Sequence, residues 1–255
     1  NIGNSIMTGI LKVNQIEPTT GTTITLGASG DTIAIPSGAT FTNSGTTSTI
    51  TISGALNVDG GTIKLDGNYP TGSRNIALGD TALDSVESGG TDNTVIGNRA
   101  ATATTTGDRN TVYGSDAYRC NATASDNTAF GYQALHCNTT GHNNVAIGNA
   151  LCKNLSGLYN VAVGSGALSS NTTASANVGI GRLALTTNTT GANNVAIGCC
   201  ALKSNTTASN NVAVGFESLK FNTEGGSNAA VGTDALPANT TGSSNNAFGS
   251  TALDN

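Results

Sequence analysis

The chain has 255 residues, a net charge of −5, charged side chains at 10% of positions and no tryptophan. With no Lys/Arg run to offset it, that balance speaks against a phosphate-backbone partner, so no nucleic acid is expected. No apolar run approaches ~18 residues, which excludes a membrane-spanning helix. Few charges and few aromatics would suit a disordered chain, but apolar positions recur with a strict period through most of the sequence. Starting at Asn1, without methionine or a signal-like segment, the chain reads as a processed product or a fragment.

Residues 1–70 have their own texture. Threonine-isoleucine runs at Thr23–Leu26, Thr32–Ile35, Thr49–Ile52 and Thr62–Leu65 alternate with turns such as Ser37-Gly38 and Asp59-Gly60-Gly61. Ile24, Ile33, Phe41 and Ile50 are spaced 9, 8 and 9 apart. This predicts a β-rich shaft or neck. Asn68-Tyr69-Pro70-Thr71-Gly72 is the expected junction with a second region, 71–255.

That region is one short phrase, Asn-x-Ala-(Ile/Val/Phe)-Gly, written eleven times. Its glycines fall at 79, 97, 114, 131, 148, 164, 181, 198, 215, 232 and 249, with a period of 17. So short a fixed period predicts an all-β solenoid, or β-roll, of about eleven coils. In the copy from Asn194 to Asn210, Val195 and Ile197 alternate with Ala196, so the pair and the alanine lie on opposite faces of a short strand. The small residue should fill the narrow interior. One position later a bulky row recurs: Leu78, Ile96, Tyr113, Phe130, Ile147, Val163, Ile180, Ile197, Val214, Val231 and Phe248. Its burial needs another surface, and the same row on another copy of the chain is the simplest one. That row is therefore the expected oligomer core.

The leading asparagine is present in every copy: Asn75, Asn93, Asn110, Asn127, Asn144, Asn160, Asn177, Asn194, Asn211, Asn228 and Asn245. Stacked asparagines can bond amide to amide down an axis, so these predict a ladder. The glycine suits a bend with positive φ or a close backbone approach. An Ala-Leu pair follows, as at Ala201-Leu202, and reads as a second short strand. Ala101 and Tyr118 stand where leucine is expected. The coil closes through Asn-Thr-Thr, as at Asn138, Asn171, Asn188, Asn205 and Asn239, which is turn chemistry before it is a glycosylation signal.

No residue set announces a reaction, so no catalytic group, metal or cofactor is expected. Cys120 and Cys137 each lie six residues after their glycine, and stacking would put them within disulfide reach. Free stacked thiols are the preferred reading. Cys199 and Cys200 should point to opposite faces. His136 beside Cys137 and near Cys120 suggests a metal site, but the paired-ligand spacing of zinc motifs is missing. These residues are read as solvent-facing. Carboxylates such as Glu217 and Asp234 could meet a glycosidase's spacing on adjacent coils, as could random pairs on any solenoid. Aromatics crowd the third to sixth coils. The register puts Tyr113 and Phe130 in the bulky row, which leaves Tyr118 and Tyr132 as the surface-contact candidates. The paired threonines lie at turns and point different ways, unlike an ice-binding array.

The Asn-x-Ala-φ-Gly-x-x-Ala-Leu core with its Asn-Thr-Thr-Gly turns resembles the repeats of bacteriophage tail-fibre proteins over residues 75–253. The segment from Gly30 to Thr40 is similar to tail-fibre shaft sequence. The Ala-φ-Gly-x-x-Ala portion is also similar to head repeats of trimeric autotransporter adhesins, although those use a shorter repeat and end in a membrane anchor. The self-cleaving chaperone domain common after such fibre repeats is not visible. The first resemblance implies a rigid homotrimeric virion fibre that meets other tail proteins and a host surface glycan or protein, with no enzymatic activity. The alternative is a bacterial cell-surface adhesin, and a polysaccharide depolymerase ranks third.

Overall fold

The computed structural model of the protein describes residues 74–254. The shaft or neck expected over 1–70, with its strands and junction, lies outside the described residues. Within them each repeat contributes one three-residue strand. In chain order these are β1 (Ile76–Leu78), β2 (Thr94–Ile96), β3 (Thr111–Tyr113), β4 (Thr128–Phe130), β5 (Val145–Ile147), β6 (Val161–Val163), β7 (Val178–Ile180), β8 (Val195–Ile197), β9 (Val212–Val214), β10 (Ala229–Val231) and β11 (Asn246–Phe248). They form a single parallel sheet in sequential order. The register is that of the repeat, with Val195 opposite Val212, Ala196 opposite Ala213 and Ile197 opposite Val214. The 16-residue step after β5 keeps the same alignment, Ala146 opposite Ala162. The expected all-β solenoid is the architecture.

Side chains alternate across a strand, and the middle residue of each is the one that turns inward. Ala129, Ala146, Ala162, Ala196 and Ala213 are buried in a column, and the leucines from Leu135 to Leu219 form a second buried column facing it. Val95 and Val112 replace alanine in the first column where Ala101 and Tyr118 replace leucine in the second. In the coil of Gly97 the larger Val95 offsets the smaller Ala101, a volume-conserving exchange of the kind packed interiors tolerate, whereas in the coil of Gly114 both Val112 and Tyr118 are larger than the residues they replace.

The Ala-Leu pair does not form the second strand expected of it. The residues of the leucine column adopt left-handed backbone, with φ of 53° at Leu83, 48° at Leu168 and 49° at Leu202. Such a conformation costs a non-glycine residue about 1–2 kcal/mol. Burying a leucine side chain returns about 1.5–3 kcal/mol. Packing wins, and the chain turns a corner at the leucine while still bonding the next coil, as in Leu202 N–H to Ser218 O at 3.0 Å. The repeat glycine is constrained twice over. Gly198 has φ of 133°, and a Cβ there would lie 2.3 Å from the carbonyl oxygen of Gly215.

Polar ladders run beside the apolar columns. The backbone N–H of Asn194 donates to Asn177 Oδ1 at 2.9 Å, and the Asn194 amide donates to the same oxygen at 3.2 Å and to Ala208 O at 2.8 Å. That is the predicted asparagine ladder, and its members from Asn75 to Asn228 are buried. Among the described residues Asn211 Nδ2 is the one buried side-chain polar atom without a partner.

The asparagines of the Asn-Thr-Thr turns form a second ladder that the sequence reading took for turns alone. Asn205 Nδ2 donates to Asn188 Oδ1 at 2.8 Å and to Ala208 O at 3.0 Å. Because Asn138, Asn171, Asn188 and Asn205 are fully buried, the folded coil shields these four formal glycosylation signals. A third ladder uses a side-chain acceptor to bond a backbone N–H of the preceding coil, as Ser209 Oγ does for Ala192 N–H and His142 Nδ1 for Ser125 N–H, each at 2.9 Å.

Candidate functional site

The outward side of the sheet is the broadest candidate surface. Each strand's first and third residues face away from the core, so two rows run along the molecule. One is the bulky row. The other reads Ile76, three threonines, Val145, Val161, Val178, Val195, Val212, Ala229 and Asn246. Neither row contains a charged residue. In the single chain the bulky row stands open: Ile197 is 38% exposed and Phe130 52%, while Ile96, Val163, Val214 and Val231 are half-buried. Parallel sheets are ordinarily covered on both faces. This one is covered on its inner face by the leucine column and left bare on the outer face.

The aromatic cluster divides into inside and outside. Tyr113 and Phe130 stack with ring centroids 4.9 Å apart and an interplanar angle of 11°, as neighbours in the bulky row. Tyr132 is 59% exposed and remains a surface group. Tyr118 is not one. It has no exposed surface, and its hydroxyl lies 2.9 Å from Asn110 Oδ1, 3.1 Å from Ala124 O and 2.6 Å from Asn127 Nδ2. Burial pushes its phenol well above the ordinary range. The expectation that Tyr118 makes surface contact is corrected. The signal was its register, because a residue in the leucine position must share the leucine's burial.

Carboxylates in the first coils are tied to arginines one coil away. Arg74 bonds Asp92, Arg99 bonds Asp116 and Arg109 bonds Asp126 through paired contacts. Hydrogen bonding from these arginines holds the Asp92, Asp116 and Asp126 carboxyls below their ordinary values. A general acid needs the opposite shift. Glu217 is paired with Lys220 at 2.8 Å, so one half of the Glu217–Asp234 pair is already engaged.

The cysteines are all free. Cys199 and Cys200, expected on opposite faces, have sulfurs 3.5 Å apart, because Cys200 takes left-handed backbone with φ of 62° and bends the chain. Cys120, His136 and Cys137 come together, with one ligand atom from each lying within 4.8 Å of the others. His136 Nδ1 is 3.2 Å from Cys137 Sγ. Cys120 is exposed and the other two are half-buried. Burial lowers the basicity of His136, helped by nearby Arg119, and raises the Cys137 thiol, helped by Cys120. Cys152, on the following coil, has its sulfur 3.5 Å from Gln133 O and 3.6 Å from Asn149 Oδ1. Comparison with protein-family models, with curated proteins and with solved structures found no match for the chain.

Proposed function

We propose that this chain is a structural fibre segment of a phage tail that assembles with copies of itself and contributes to host-surface attachment, without catalytic activity. The observation that carries the proposal is the outer sheet face, which is free of charge, carries the bulky apolar row from Leu78 to Phe248 and is uncovered in the single chain. An apolar row of that extent marks an interaction surface. Copies of the same face are mutually complementary, and closed symmetry buries them with no leftover edge. The number three, the virion setting and the other tail proteins as partners rest on the resemblance to tail-fibre repeats. Tyr132, exposed two residues after Phe130 on the far side of Gly131, is the group we assign to contact with a host glycan or protein, since an aromatic face gives apolar contact with little entropy loss.

Sedimentation of the full chain tests the assembly, and a folded monomer at micromolar concentration would overturn it. Tyr132→Ala should weaken attachment to host cells, and unchanged attachment would place recognition elsewhere. Release of oligosaccharide from capsule or lipopolysaccharide would favour the depolymerase instead.

A further inference from the structure

We propose that Cys120, His136 and Cys137 form a binding site for a thiophilic d¹⁰ cation, Zn(II), which clips the coil of Gly114 to the coil of Gly131. Adjacent ligands of a tetrahedral zinc ion, with Zn–S near 2.3 Å and Zn–N near 2.0–2.1 Å, lie about 3.5–3.8 Å apart. The three ligand atoms lie within 4.8 Å of one another, and the Nδ1–Sγ pair at 3.2 Å is already at that scale. Small side-chain rotations complete the rest.

The scaffold beneath is rigid. Cys120 N–H bonds His136 O at 3.0 Å, and Cys137 N–H bonds Cys152 O at 3.0 Å, so the coil register itself stacks the two thiols. Imidazole and thiolates select zinc over hard cations. Exposure of Cys120 leaves the ion an entry path and the fourth coordination position to water. Binding releases the two thiol protons to solvent and leaves both sulfurs as thiolates. The spacing of zinc motifs is absent from the sequence because the ligands come from two coils, 17 residues apart. Stacking supplies the proximity that a short motif supplies elsewhere.

The test uses the reduced full chain titrated with Co(II) as an optical probe and then displaced by Zn(II). One equivalent of cobalt should give thiolate charge-transfer absorption. Cys120→Ser and Cys137→Ser should each abolish it, and His136→Ala, which removes the imidazole ligand, should weaken binding. The Cys199→Ser/Cys200→Ser double variant should keep the band, and zinc should raise the melting temperature of the wild type but not of Cys120→Ser. Far-UV spectra establish that each variant keeps its β fold. Absence of the band, its survival in a Cys120→Ser/Cys137→Ser variant, or its loss only when Cys199 and Cys200 are replaced would overturn the site. So would a Cys120–Cys137 disulfide that persists in excess zinc under mild reductant.

Discussion

Tyr118 shows how far a single residue's register decides its role. As an aromatic near Arg109 and His136 it looks like a surface group, yet its place in the leucine column puts it inside with its hydroxyl bonded to two asparagines of the ladder. Tyr118→Phe keeps the ring and removes that hydroxyl, leaving Asn110 and Asn127 short of a partner. A loss of about 1–3 kcal/mol in denaturant-unfolding stability is expected, with a native far-UV spectrum. A neutral result would mean that the asparagines find other partners at no cost. Leu202 illustrates the same dominance of packing over local preference, since its backbone accepts left-handed strain for the sake of a buried side chain.

Elements in this molecule are columns rather than strands. A three-residue strand has almost no stability of its own, and each coil is held by what is stacked on it. Asn194→Ala takes the acceptor from Asn211 N–H and one donor from Ala208 O. It should cost about 1–3 kcal/mol, whereas Thr207→Ala on the exposed turn should stay within about 0.5 kcal/mol; equal effects in thermal melts would refute a load carried by the ladder. The arginine–aspartate ladder gives a pH signature. Asp92, Asp116 and Asp126 have folded-state pKa values lowered by Arg74, Arg99 and Arg109. Their contribution is therefore complete above the unfolded aspartate pKa of about 3.9 and is lost as pH falls through the lower folded values. Melting temperature should be level from about pH 5 upward with respect to these groups, and should fall below about pH 4. Arg99→Gln should make the fall shallower. An acid limb identical in that variant would remove Asp116 from the explanation.

For the whole molecule, the question is what covers the outer face of the sheet. Ile197 is 38% exposed in the single chain, so Ile197→Asp should cost the isolated solenoid little. In the proposed assembly every copy would bring that charge to the shared axis, where an unpaired buried carboxylate is expensive. Sedimentation should show smaller species for Ile197→Asp while circular dichroism stays β. Unfolding without dissociation would instead locate Ile197 in the fold's own core, and an unchanged assembly would locate the contact on another face.

The period of 17, the inward alanine, the asparagine ladder and the positive-φ glycine were all readable in the sequence, because each follows from identical residues meeting at one register position. Period and residue size together sorted inside from outside along each strand. The corner at the leucine was not readable, since Ala-Leu is as good a strand as a turn until the width of the coil requires the chain to bend there. Nor was the second role of the Asn-Thr-Thr asparagines, whose partners are turns one coil away. The gathering of Cys120, His136 and Cys137 also needed the tertiary structure. Their distance along the chain is set by the repeat and their distance in space by stacking, and only backbone hydrogen bonding between coils converts the one into the other.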